Sequence, residues 1–326
     1  MRLRIWGTEH TFPLLEPRVL KLGSGPGCDM RLRDGSGRIS REHALLVPEA
    51  GGWLIRDLGS TNGLWVEGSR VAERSIRPGA TVQLGDLILV AESLEFIRLR
   101  SLACRLIGWA PERCGAVDEA LQGLRDGATA RTPVVLVGDG DLAPVALRLH
   151  RMTLGADASF VAHRGGDAAS AIRAVRGGTL CVPVRSRAAA SATVDAVRAV
   201  ELAARPRLVL CASGDGQAAS VGAKPGRSAV IALPPLSSRG GEIARLVHET
   251  AQDVAAELGV PPGGCTTRDL ERLQLIRFSG MAELEESIRR VIAMRTFGVT
   301  AGAKRLGLKH PSLSQWARNR KRRLLA

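Results

Sequence analysis

The sequence predicts a multidomain chain: an all-β sandwich, then an α/β unit on a mostly parallel sheet with a helical lid, then a small all-α basic end. Three observations predict this order. Short strand-like runs separated by turn dipeptides fill the chain to about residue 97. From about Arg105 apolar strands alternate with Ala/Arg-rich helical stretches. After Glu286 there is no acidic residue, and eleven of the cations behind the formal charge of +14 lie in the last forty residues. A length of 326 residues suits two or three compact units, and 45% apolar content is enough to give each a core.

In the first segment the runs RVLKLG, MRLR, HALLV, GWLIRDL, GLWVEG, ATVQLG and DLILVAE are divided by Gly25-Pro26-Gly27, Asp34-Gly35, Gly51-Gly52, Asn62-Gly63 and Pro78-Gly79. Many short strands with closely spaced turns and no helix-period segment predict a β-sandwich over residues 1–97. In the second, TPVVLVGDG, ASFVAH, GGTLCVPV, RPRLVLCAS and SAVIALP are strand candidates, with APVALRLHRM, AASAIRAVR and TVDAVRAVELAA as the helices between them. Ser213 to Ser228 reads as a Gly/Ala/Ser-rich loop, and helices are expected over 241–258, 266–275 and 281–295. The divisions that follow are 1–97, 105–240 for the sheet, 241–295 for the lid and 296–326 for the basic end.

Composition excludes several classes. The six cysteines are scattered without a C-x-x-C pair, so neither a disulfide framework nor a zinc site is expected. No apolar leader opens the chain and no apolar run is long enough to span a bilayer, so the expectation is a cytoplasmic protein without membrane contact. Aromatics make up 3% with no Tyr, against a surface of base-stacking platforms. The concentrated positive field at the end suits a polyanion, and nucleic acid is the usual one.

LGSGPGCDM (22–30), ISREHA (39–44), DLGSTNG (57–63) and QLGD (83–86) together resemble the forkhead-associated (FHA) domain. The resemblance implies a phosphothreonine-peptide reader. Ser40 and Arg41 would supply a hydroxyl and a guanidinium to the phosphate, Ser60 and Thr61 a second hydroxyl, and Asn62 a side-chain amide to the peptide backbone. Gly23, His43 and Gly63 would brace the loops. One departure is plain: the family's Gly-Arg is Gly23-Ser24 here, and Arg31, Arg38 and Arg41 are the nearby cations that would have to replace the missing one.

Residues from about Leu106 to Arg290 resemble the ATPase (AAA+) core of sigma-54-dependent activators, through LIGWAPERCGAVDEAL, PVVLVGDGDLAPVALRLHR, GGTLCVPV, RLVLCAS, LPPLSSRGGEIARLV and FSGMAELEESIRRVI. The catalytic motifs are eroded. Gly138-Asp139-Gly140-Asp141 offers acids where a P-loop needs Lys and Ser/Thr, and no lysine lies between Lys21 and Lys224. Pro183 and Val184 stand for the Walker B acids, Ala282 for the sensor arginine, and the chain between Phe160 and Gly177 is too short for the sigma-contacting loop. The expectation is a retained scaffold with no catalytic residues, no cofactor and no metal.

VTAGAKRLGLKHPSLSQWARNRKRRL resembles the Fis-type helix-turn-helix that ends the same family. Ala301, Ala303, Leu306, Leu308, Leu313 and Trp316 have the spacing of two packed helices, with Gly307 at the turn. Ser312, Ser314 and Gln315 are the base-edge candidates, with Asn319 also on the outer face. Lys309, Arg318, Arg320, Lys321, Arg322 and Arg323 are phosphate contacts. The whole predicts a transcriptional regulator, not an enzyme. Its partners would be a phosphothreonine-containing protein and double-stranded DNA, bound as a homo-oligomer, with a dimer expected. A phospho-dependent adaptor with a basic anchor is the alternative, and a nucleotide-responsive activator a further one.

Overall fold

The structure, a computed structural model, describes residues 1–130, 132–163, 165, 168–175, 177–214, 229–261, 266–274 and 277–323. The chain divides into two compact units, Met1–Arg125 and Asp126–Ala326.

The first unit begins with eleven strands in two sheets. One sheet contains β1 (Arg2–Ile5), β2 (Thr11–Pro13), β7 (Leu64–Val66), β8 (Ser69–Val71), β10 (Thr81–Leu84) and β11 (Leu87–Glu92), in the order β2-β1-β11-β10-β7-β8. The other contains β3 (Leu20–Gly23), β4 (Met30–Arg31), β5 (Ala44–Glu49), β6 (Gly52–Asp57) and β9 (Glu73–Ile76), in the order β4-β3-β5-β6-β9. Along β6 the burial alternates so that Trp53 and Ile55 point inward, the period-two pattern of a strand with one covered face. Leu3, Leu22, Leu46, Ile55, Leu64, Leu84 and Leu89 fill the space between the sheets. The strands absent from the sequence expectation, β1, β2, β8 and β9, are only three or four residues long, and β1, β8 and β9 carry charged residues, so their apolar signal is weak.

Two helices follow the sandwich: α1 (Leu94–Ile107) and α2 (Cys114–Ala130), the last residues of α2 falling in the second unit. α1 lies where no helix was expected. Its start is capped by the Ser93 hydroxyl, which accepts from the Phe96 amide. Arg100 and Arg105 are buried in it beside Leu102, Leu106 and Ile107, so its inner face mixes charge with apolar residues. Arg100 donates to Glu9 at 3.0 Å. Nearby, the fully buried Arg4 donates to Glu92 at 2.7 Å and to Asp118 of α2 at 3.0 Å, and Asp118 also accepts from the Gly7 amide at 2.7 Å. These ion pairs tie both helices to the sandwich.

The second unit is built on five parallel strands: β12 (Val134–Val137), β13 (Phe160–Ala162), β14 (Thr179–Pro183), β15 (Arg207–Ala212) and β16 (Ala229–Ala232). Their order is β13-β14-β15-β12-β16, which places the first strand inside the sheet. All four residues of β12 are buried, as expected of a central parallel strand covered on both faces. The helices α3 (Ala143–Leu154), α4 (Ala168–Val175) and α5 (Arg187–Arg198) alternate with the strands. A 3₁₀ segment (Leu236–Glu242) leads into α6 (Ile243–Leu258), α7 (Thr267–Gln274) and α8 (Met281–Arg305).

The last helices differ from the expected layout in one respect. The lid helix and the next short helix form one stretch, α8, broken at Gly298, whose φ of +75° is left-handed. Beyond the break Gly302 packs on the Ala293 carbonyl, where a Cβ would sit 2.9 Å from the oxygen. Asp269 of α7 accepts two bonds from Arg295, at 3.0 and 2.9 Å, which fixes α7 against α8. Gly307 (φ +65°) then turns the chain into α9 (His310–Arg323), anchored by the buried Leu313. No described helix is long and apolar enough to cross a membrane.

Candidate functional site

In the sandwich three loops converge: 24–29 after β3, 32–43 before β5 and 58–63 before β7. Their junction is held by a buried imidazole. His43 Nδ1 accepts from the Ser40 amide at 3.2 Å, so its Nε2 carries the proton and donates to the Gly63 carbonyl at 3.2 Å. Gly23 has no room for a side chain, because a Cβ there would overlap the Arg41 carbonyl. Gly63 adopts φ +76° and carries the Arg70 guanidinium against its Cα.

The outer surface of this junction holds the polar groups. Ser40 Oγ accepts from the Thr61 amide at 3.1 Å, which leaves its own proton free to donate outward. Thr61 and Arg41 are exposed. Asn62 Nδ2 donates to the Arg38 carbonyl at 2.8 Å, which fixes the amide and leaves its oxygen open. Ser60 is turned the other way: it is buried and its hydroxyl donates to Asp57 at 2.6 Å, so of the two expected hydroxyls at this position Thr61 is the outward one. Ser24 also turns inward, donating to the Ile39 carbonyl at 2.9 Å.

The QLGD turn has a mechanical part here. Asp34 accepts from the amides of Arg38 and Asp86 and from the Ser36 hydroxyl, at 3.1, 3.3 and 2.9 Å, which shapes the loop presenting Ser40. Burial pushes the Asp34 carboxyl up, but these donors outweigh it and hold it below its ordinary range. The stability it contributes is present above the unfolded carboxyl value and is lost as pH falls through the lower folded one. Hydrogen-exchange protection of the Arg38 and Asp86 amides is therefore expected to fall below about pH 4, and Asp34→Asn should flatten that dependence.

In the α/β unit a cleft of about 210 Å³ opens at the carboxyl ends of the parallel strands, where sheets of this kind place ligands. Gly140, Asp141, Ala162, His163, Cys181 and Cys211 line part of it, and no Lys or Arg is among its described lining residues. The loop after β12 packs on the turn before α8, since a Cβ on Gly280 would overlap the Asp139 carbonyl. Asp141 caps α3 by accepting from the Ala143 amide at 3.0 Å. The cleft thus presents a carboxylate where a nucleotide triphosphate needs cations and free amides. The Cys181 and Cys211 sulfurs lie 3.5 Å apart; their mutual hydrogen bond lowers the Cys181 pKa and, with burial, raises that of Cys211. Among the described residues no group of three or more His, Cys, Asp or Glu is placed to hold a metal.

At the basic end Lys309, just before α9, and Ser312, Gln315, Arg318 and Asn319 on it are exposed, while Ser314 is half-buried and accepts from Arg318 at 3.2 Å. Ser312, Gln315 and Asn319 follow one another at three and four residues, on a single face opposite Leu313. Arg290 lies 5.4 Å over the Trp316 ring and so joins α8 to α9, while Arg305 lies 4.3 Å over Phe297 across the break within α8. The side chains of Arg320, Lys321, Arg322 and Arg323 lie outside the described residues, as does 215–228 of the Gly/Ala/Ser-rich loop.

Comparison with known proteins bears on the first of these sites. The family model for the FHA domain matches residues 20–85. The ABC transporter ATP-binding/permease protein Rv1747 of Mycobacterium tuberculosis is 37% identical over 76 residues, which is 23% of this chain and 9% of that protein. The crystal structure of the FHA domain of the CT664 protein from Chlamydia trachomatis is 29% identical, covering 28% of this chain and 95% of that one, with a TM-score of 0.26. The Mycobacterium tuberculosis Rv1747 FHA-1 structure is also 29% identical, over 28% of this chain and 95% of that one, with a TM-score of 0.23. The N-terminal region is an FHA domain.

Proposed function

We propose that the protein is a DNA-binding transcriptional regulator whose FHA domain reads a phosphothreonine on a partner protein. The observation that carries the input is the Ser40 hydroxyl: its oxygen accepts from the Thr61 amide and its proton remains available to a ligand, beside the exposed Arg41. A phosphate dianion gains most from convergent charge-assisted donors of this kind. Asn62, pinned through Arg38, keeps its amide oxygen for the peptide backbone. Ser40→Ala is expected to weaken binding of phosphothreonine peptides by about one to two decades, measured by calorimetry against the unphosphorylated peptides. Equal affinity in variant and parent would sink this assignment.

The output is proposed for α9. Its face of Ser312, Gln315 and Asn319 suits base edges, with Lys309 and Arg318 flanking it for phosphates. Duplex binding by the full chain is expected to weaken steeply with salt, each neutralised phosphate adding about 0.9 to the log–log slope. A chain lacking residues 297–326 should lose that binding while keeping phosphopeptide affinity. If it keeps its in-cell activity, the adaptor reading takes over, a reading favoured by the FHA match alone. The α/β unit is proposed to connect or oligomerise without turning over nucleotide, given the carboxylate in its cleft. Calorimetry with ATP and Mg²⁺ should record no micromolar binding.

A further inference from the structure

We propose that Arg31 supplies, from the neighbouring strand, the phosphate-binding guanidinium that the Gly23-Ser24 turn lacks; this rests on the phosphothreonine reading and specifies the contact within it. Arg31 is paired with Gly23 in the parallel β3–β4 register, so its side chain leaves the sheet beside residue 24. Its Nε donates to the Ser24 carbonyl at 3.2 Å. Ser24 in turn donates its amide to the Ser40 carbonyl at 3.0 Å. These bonds tie Arg31 through Ser24 to the main chain of the loop that carries Ser40. With Nε tethered, the two terminal nitrogens of the exposed guanidinium remain as an open fork. Such a fork suits two phosphate oxygens at once, and tethering reduces the freedom lost on binding.

The other nearby cations are placed differently. Arg38 donates to Asp86 at 3.1 Å and gives its carbonyl to Asn62, so it serves the loop. Arg41 is exposed beside Ser40 but has no tether like that of Arg31 on Ser24. Ser24 itself points into the domain and offers nothing to a ligand. Strand pairing thus brings a guanidinium from seven positions later in the chain to the side of Ser24, where the arginine is missing.

The test is a fluorescence-polarisation titration of the full chain with a degenerate phosphothreonine peptide library and its unphosphorylated counterpart. Arg31→Ala is expected to lose about one to two decades of affinity for the phosphorylated library, and Arg31→Lys less. Adding Ser24→Arg to Arg31→Ala should restore binding, an outcome that a merely structural role for Arg31 does not produce. Unchanged thermal melting of Arg31→Ala would separate ligand contact from folding. Full affinity in Arg31→Ala, with the loss appearing in Arg41→Ala instead, overturns the proposal and leaves the phosphothreonine reading standing. If the unaltered chain does not distinguish the two libraries, the phosphothreonine reading itself fails, and this inference with it.

Discussion

Asp118→Ala is expected to lower the stability of the N-terminal unit by about 3–5 kcal/mol, the cost of leaving a buried cation short of its partner. Arg4 is fully buried and holds Glu92 with Nε and Asp118 with its outer nitrogens. Without Asp118 the outer end of that guanidinium keeps only the carbonyls of Ile5 and Thr8, and the Gly7 amide loses its acceptor. Urea unfolding of the full chain, followed by tryptophan fluorescence, should show an earlier first transition. Adding Arg4→Met removes the stranded cation but still leaves the buried Glu92 carboxylate short of a partner and the Gly7 amide without its acceptor, so it should recover only part of the loss. An Asp118→Ala transition unmoved from the parent would show that α2 is not held by this network. The corollary is that a chain ending at residue 97 would leave Arg4 in the same state, whereas one ending beyond α2 would not.

The second large effect is expected from His43→Ala. The ring pairs the half-buried Ser40 amide with the buried Gly63 carbonyl across two loops, and the carbonyl lies too deep for water to replace it fully. Each buried group left unpaired costs about 1–3 kcal/mol, and the cavity left by the imidazole adds to that. Stability and phosphopeptide affinity should therefore fall together, since the same bonds place Ser40 and Asn62. Ser40→Ala, by contrast, should lower affinity with little change in melting. If His43→Ala binds phosphopeptide as the parent does, the ring is not what sets the loop geometry.

Much of the fold could be read from residues near one another in the chain. The turn dipeptides mark the sandwich, and the strand–helix alternation after Val134 marks a parallel sheet. Helix α1 was not legible because Arg100 and Arg105 interrupt the apolar residues of its inner face, and burial of an arginine depends on acids far away in sequence, here Glu9 for Arg100. The recognition loops were legible as an ordered set of short motifs. What could not be read was the direction in which each hydroxyl turns. Ser60 and Thr61 are neighbours of similar chemistry, yet Asp57 draws Ser60 inward and leaves Thr61 outside. The part played by QLGD also stayed hidden, since the bond from the Asp86 amide to Asp34 spans more than fifty residues.

The sequence by itself determined the order of the units, the FHA motif and the acid-free basic end, because each is a property of local composition or spacing. Tertiary structure alone decided which arginine stands beside Ser24, where α1 and α2 belong, and what faces the cleft of the α/β unit. These follow from strand pairing, buried charge compensation and close backbone approach, all of which join residues that the chain keeps apart.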